Sequence, residues 1–356
     1  AKISQKLKHK SLITVLVSLA VIGIYYFVYF KAQSLIQNLL ANATVYGVQI
    51  KGAAYPVYLF GSIGIGDVRA SVIVSTTVAV LFFLMWVLLS RSFLQIATST
   101  GKVVHREYRE THSRKRSIDA ALLGREFSHF TASPNYMLNC GLGTFLMPLC
   151  AIAVLWKGNE LFAMLDAIFA EKTDSVLLLL CVVLCSFASM NFMTAPSVSL
   201  EGKSLWLMQS LPIEPWRIFR AKIRMQLLLT GLPLLLCIVC MVVVYPIHSM
   251  QLLMLLLFAG SYVLFMALVG LFFGIKMPTL TWTNEVVLIK QGAPVMITLF
   301  GGFGYMVLLF VGFMLLPGWI LGFCGYMSCY VGANLFLSGW VYLWLRKKGV
   351  ARFSAL

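Results

Sequence analysis

Eight apolar runs, each long enough to cross a bilayer as a helix and each free of Asp, Glu, Lys and Arg, constrain this chain more than any other feature. A crossing helix needs about 20 mostly apolar residues. The runs fall at Ser11 to Phe30, Ala70 to Ser90, Asn135 to Trp156, Ser175 to Pro196, Gln226 to Tyr245, Met250 to Phe273, Gly292 to Leu316 and Ile320 to Leu345. Only 11% of the 356 residues are charged and 60% are hydrophobic. The expected fold is therefore all-α: a polytopic helical membrane protein with about eight transmembrane helices. The first run follows a basic stretch, AKISQKLKHK, but it is longer than the 7 to 15 residues of a signal-peptide core, so it reads as a retained anchor. The chain begins with Ala and its first span follows almost at once, as expected of part of a longer protein.

Charge orients these spans. With the amino terminus inside, alternate segments (1–10, 91–134, 197–225, 274–291 and 346–356) hold 23 of the 28 Lys and Arg residues and 7 of the 12 acids. The net charge of +16 then lies wholly on one face. Cytoplasmic loops carry such an excess, so both termini are expected in the cytoplasm, and a basic balance confined to alternate loops argues against nucleic-acid binding. Ion-driven transporters usually keep ionisable groups within their spans. These spans have none, which points to an energy source outside the chain. All eight cysteines fall within the spans, where a thiol behaves as a small apolar side chain.

Between the spans two stretches carry information. From Ile118 the apolar residues Ile118, Leu122, Leu123, Phe127 and Phe130 recur at helical spacing, with Asp119, Arg125, Glu126 and His129 on the other face. This predicts a helix along the inner interface, capped by Ser117 and ended by Ser133-Pro134. Ser199 to Met225 alternates five basic and two acidic residues with Leu205, Trp206, Leu207, Ile213 and Trp216. Pro212 and Pro215 divide it, which predicts helix, kink, helix at a membrane surface. The later spans contain Gly270 and Gly274, spaced for close helix approach.

Catalytic motifs are missing. Gly202-Lys203-Ser204 imitates the end of a phosphate-binding loop, but position 197 is Ser where that loop needs Gly. The five histidines are scattered and form no metal-ligand pattern. The chain reads as a non-enzyme with no catalytic residue, no metal and no cofactor of its own.

Several short stretches share a resemblance. Ser199-Leu200-Glu201-Gly202-Lys203, Ser210-Leu211-Pro212 and Ala221-Lys222 are similar to the inner-loop signature of bacterial ATP-binding-cassette exporter permeases of type 2, in particular the large putative exporter family. Ser133 to Asn139, Trp282-Thr283-Asn284-Glu285 through Lys290-Gln291, and Lys348 to Phe353 resemble later parts of it. The resemblance implies two halves of about six spans, each with an interfacial helix and a coupling helix. Residues 1–90 would be the tail of a first half, 91–134 a basic cytoplasmic loop with the interfacial helix, and 135–356 a six-helix half with coupling segment 197–225. It also implies a bacterial cytoplasmic membrane and a separate cytoplasmic ATPase subunit that carries ATP and Mg and drives export by alternating access. Under that reading Glu201, Gly202, Lys203, Leu205, Trp206, Leu211 and Pro212 form the ATPase-coupling set, with Glu201 and Lys203 pairing with its charges and Leu205 and Trp206 filling its groove. Pro212 sets the angle between the two short helices.

Other readings stay open. Membrane lipid is an expected partner, and the permease could work alone or as a dimer. Asn191, Thr194, Tyr262, Asn334 and Ser338 could line a polar pathway or be satisfied within the bundle. An ion-driven secondary transporter or channel, or a membrane scaffold that moves no solute, would use the same basic loops differently.

Overall fold

A computed structural model of the chain describes residues 10–41, 55–98, 117–169, 174–315 and 318–356. These residues are mostly helical, with no strand among them. In chain order the helices are α1 (Lys10–Ala41), α2 (Tyr55–Ile63), α3 (Val68–Thr98), α4 (Ile118–Ala132), α5 (Pro134–Cys140), α6 (Leu142–Ile168) and α7 (Asp174–Ser189). A 3-10 turn (Ser199–Ser204) then leads to α8 (Leu205–Ser210), α9 (Pro215–Val244), α10 (Ser249–Lys276), α11 (Glu285–Gln291), α12 (Ala293–Leu315) and α13 (Gly318–Trp344). A π turn (Leu345–Gly349) and α14 (Val350–Ser354) close the chain. The triplet Asn42-Ala43-Thr44 and the charged stretch around His105 and His112 lie outside the described residues.

All eight expected spans contain helix, but six stretches among the described residues are both long and apolar enough to cross a membrane. The differences have local causes. The third run is not one helix: α5 ends at Cys140 and α6 begins at Leu142, with Gly141 between them. The fourth run stops early, because α7 covers only the 16 residues Asp174–Ser189. Pro196 lacks the backbone donor a helix needs and disfavours helix at Ala195, which keeps the helix from resuming, while the break at Ser189 itself comes from the distant partners of residues 191–194. The eighth run, α13, is broken near its start, where Gly322 has φ +59° and non-helical backbone, and its later turns place Asn334 and Ser338 among apolar side chains. In the other direction, α9 starts at Pro215 and so carries Arg217, Arg220, Lys222 and Arg224 into the first turns of a span helix.

Two compact units divide the chain: residues 17–114, and residues 1–16 with 115–356. In the first, α2 packs on α3 through a turn in which Gly66 has φ 88° and Asp67 accepts from the backbone N–H of Arg69 at 3.0 Å, capping α3. Val72, Phe82, Phe83 and Trp86 of α3 are exposed, as side chains facing lipid are. In the second unit, α6, α7, α9, α10, α12 and α13 pack around two apolar cores. One fills the middle of the spans with Met147, Leu178, Cys181, Phe258, Met306 and Phe323. The other lies at the basic end and joins Leu122 of α4, Leu205 and Met208 of α8, Phe219 of α9, Leu271 of α10 and Phe353 of α14.

Candidate functional site

The site is built where α7 gives way to irregular backbone. Residues 191–200 are all buried, although they form no regular helix before Ser199. A buried backbone group without a partner is costly, so each must be satisfied. Phe192 N–H donates to the Cys140 carbonyl at 3.1 Å, across the break between α5 and α6, and Asn191 Oδ1 accepts from Thr144 N–H at 3.0 Å on the first turn of α6. Tyr136 hydroxyl donates to the Met193 carbonyl at 2.7 Å. Gln226 of α9 does most of the remaining pairing. Its Oε1 accepts from Thr194 N–H at 2.9 Å and Thr194 Oγ1 at 2.8 Å, and its Nε2 donates to the Asn191 carbonyl at 2.8 Å.

Gly270 and Gly274 of α10 give this segment its room. A Cβ on Gly274 would stand 2.6 Å from the Ala195 carbonyl oxygen, and one on Gly270 would strike the Thr194 hydroxyl. The close approach foreseen from their spacing is therefore real, but it admits an irregular strand of backbone and not a second helix.

A cluster of four charges adjoins the segment. Lys222 of α9, 1% exposed, donates from Nζ to Glu126 Oε2 at 3.0 Å, Glu126 Oε1 and Glu201 Oε1 at 3.1 Å, and the Ser197 carbonyl at 3.2 Å. Arg125 grips Glu201 with both arms, Nη1 to Oε1 at 3.0 Å and Nη2 to Oε2 at 2.6 Å, and also reaches Glu126 at 3.3 Å. Glu126 and Glu201 are 3% and 5% exposed. Burial pushes the Glu201 carboxyl up, but Lys222 beside it and the Arg125 guanidinium win and hold it at about 2. Two cations and two anions balance, so α4, the 3-10 turn and α9 are tied by a neutral buried network.

Placement of the sequence-derived residues follows from this geometry. Leu122 and Phe130 of the interfacial helix are buried, Phe127 is half-buried and Ile118 is exposed. Glu126, read onto the polar face with Arg125, is instead the buried partner of Lys222, because α9 crosses that face. Glu201 does not point outward: its charge is consumed by Lys222 and Arg125. Gly202 adopts φ +52°, and its α-carbon lies under the indole of Trp282, whose Nε1 donates to the Ser199 carbonyl at 2.7 Å. Leu205 is buried in the core of its own chain and fills no external groove. Lys203, Trp206, Leu207, Leu211 and Pro212 are exposed, with Trp206 at 62%.

Of the five pathway candidates, Asn191 and Thr194 belong to the irregular segment. Tyr262 and Asn334 sit in the spans, the first on Ser189 Oγ at 2.6 Å and the second on Tyr305 hydroxyl at 2.8 Å. Ser338 lines a separate cavity.

Sequence reasoning missed Glu126, Lys222 and Gln226. A signal was present: Lys222, Gln226 and Thr230 repeat every four residues on α9, and all three are 1% exposed. Polar residues at that spacing in an apolar helix mark the face turned toward protein.

The architecture is that of a multi-pass helical membrane protein whose spans close, at the basic end, on a buried polar junction. The chain belongs to the family described as "Membrane protein of 12 TMs", whose model matches residues 2–344. That match overturns the resemblance to ATP-binding-cassette exporter permeases of type 2, since nearly the whole chain falls in a different family. The stretches that carried the resemblance do gather in space, for Ser199, Gly202, Trp282 and Lys222 meet at the junction. They reflect how this end is packed. Comparison with curated proteins and with solved structures gives no match.

Proposed function

We propose that this chain is the membrane-embedded part of a transporter worked from its basic, cytoplasmic side by a separate nucleotide-hydrolysing protein, in a bacterial cytoplasmic membrane. The observation that carries the reading is the two-sidedness of residues 199–211. Inward, Glu201 is locked to α4 and α9. Outward, Lys203, Trp206, Leu207 and Leu211 offer a basic and apolar surface to a partner. A push on the outer side passes through the charge network to two helices at once, and rigid-body rocking of α9 and α10 would alternate access across the bilayer. Energy comes from the partner, which holds the nucleotide and Mg, and this chain contributes no catalytic group. A paired arrangement of two such chains suits the same mechanism.

Affinity purification of the full chain from its native membrane tests the proposal, beside Lys203→Glu and Trp206→Ala. A nucleotide-hydrolysing partner recovered with the wild type and lost from both variants supports it, and equal recovery from all three removes the docking role of this surface. A second reading, ion-driven transport, is favoured by the buried carboxylates Glu126 and Glu201 beside Lys222. It predicts that uptake or efflux in whole cells stops with an ionophore and survives nucleotide depletion.

A further inference from the structure

We infer that a groove between α9, α10 and α13 is a binding site for an anionic glycerophospholipid of the inner leaflet. The groove has a volume of about 520 Å³ and is lined by Trp216, Arg220, Ile223 and Arg224 from α9, Leu264 and Leu268 from α10, and Leu335, Ser338, Gly339 and Tyr342 from α13. That is the size of sites that hold a small organic ligand. Its two ends differ in chemistry. Arg220 and Arg224 lie within the first three turns of α9, at the basic end, where lipid phosphates are. Ile223, Leu264, Leu268 and Leu335 continue it toward the middle of the spans, where acyl chains are. Trp216 and Tyr342 meet edge to face at 5.0 Å on its wall, a pairing suited to the headgroup level.

Charge selects the occupant. The carboxylate facing the arginines is Asp119 of α4, 3.7 Å from Arg220 Nη2 and 4.0 Å from Arg224 Nη1. Two guanidiniums against one carboxylate leave a positive charge, and at these separations both keep donors for a phosphate. Two buried polar atoms here have no hydrogen-bond partner, Arg220 Nε and the Ser338 hydroxyl, and Ser338 is 4% exposed. A buried donor left unpaired is costly, so a native structure gives it a partner. A phosphate oxygen meets the need at Arg220, and a glycerol ester carbonyl accepts from Ser338. Basic pockets between spans at the cytoplasmic side recognise anionic headgroups in this way.

The test uses the full chain reconstituted into phosphatidylcholine bilayers containing brominated phosphatidylglycerol or, separately, brominated phosphatidylcholine. Bromine quenches a nearby indole, and the part of the quenching lost in Trp216→Phe reports the groove. The wild type should bind the anionic lipid in preference at this position. Arg220→Gln with Arg224→Gln should lower that preference about thirtyfold, and Asp119→Asn should raise it. A Cβ on Gly339 meets nothing within 4 Å, so Gly339→Leu inserts a side chain into the groove with the charges intact. It should remove the Trp216 signal for both lipids while gel-filtration elution stays that of the wild type. Equal quenching by the two lipids in the wild type, or a preference that survives the double arginine variant, would overturn the inference. So would a preference retained in Gly339→Leu, which would place the lipid on the rim. Inorganic phosphate should leave the signal unchanged, and displacement by it would mean the site takes a free anion and no lipid.

Discussion

Lys222 is the residue on which the junction turns, and removing its charge separates two effects. Lys222→Met leaves Glu126 and Glu201 buried, facing each other with only Arg125 between them. Breaking a buried ion network by deleting one partner costs about 3–5 kcal/mol. The unfolding temperature in detergent should fall accordingly, and Lys222→Met combined with Glu126→Gln should recover part of the loss, because one uncompensated charge goes with it. Acid should act through Glu201. Its folded value of about 2 lies below the ordinary 4.5, so the stability it contributes is complete above 4.5 and drains away as pH falls toward 2. The gap in unfolding temperature between wild type and Glu201→Gln should therefore narrow over that interval and stay constant at neutral pH. Gly202 makes a separate contribution. Gly202→Ala forces a side chain into positive φ and against Trp282, and should cost about 1–3 kcal/mol in the same assay.

At the scale of the element, the junction depends on α10 presenting bare backbone where residues 194–195 pass. Gly274→Val should destabilise by about 1–3 kcal/mol, because the Ala195 carbonyl it meets is main chain and cannot swing aside. Gly301→Ala, where a Cβ meets nothing, should leave the unfolding temperature unchanged. This element also marks what the sequence discloses. Long uncharged runs betray α6, α9, α10 and α12 because lipid demands continuous apolar surface and internal backbone pairing. The interfacial helix α4 is legible from its periodicity, and Ser117 caps it as expected, accepting from Ala120 N–H at 3.3 Å. The end of α7 at Ser189 is not legible, since Met190 to Ala195 carries no charge, Gly or Pro, and distant partners such as Gln226, Cys140 and Tyr136 are what satisfy an irregular path there. The burial of Glu126 escapes for the same reason: its ion partner lies 96 residues later.

For the whole molecule, the excess of Lys and Arg on alternate segments predicts that the junction end faces the cytoplasm. A membrane-impermeant thiol reagent should label Trp206→Cys only in inside-out vesicles and Glu160→Cys, exposed on α6 and paired with Lys157, only in right-side-out ones. Reversal of that pattern would invert the topology. The irregular segment also bears on how the protein is made. Five turns of helix or fewer cannot cover a bilayer core about 30 Å thick, and the 16 residues of α7 rise only about 24 Å. Residues 190–198 therefore complete that crossing, and lipid cannot satisfy their backbone. Cys140 and Tyr136 precede them from the ribosome, but Gln226, Ala267, Gly270 and Gly274 follow. The fourth crossing is thus expected to leave the insertion machinery unfinished, with the Thr194 N–H and the Asn191 carbonyl awaiting Gln226 of α9. Its pairing is expected to complete once α9 supplies Gln226, and its packing once α10 supplies the bare backbone of Gly270 and Gly274, so that assembly of this half is expected to be concerted rather than a series of independent helical insertions.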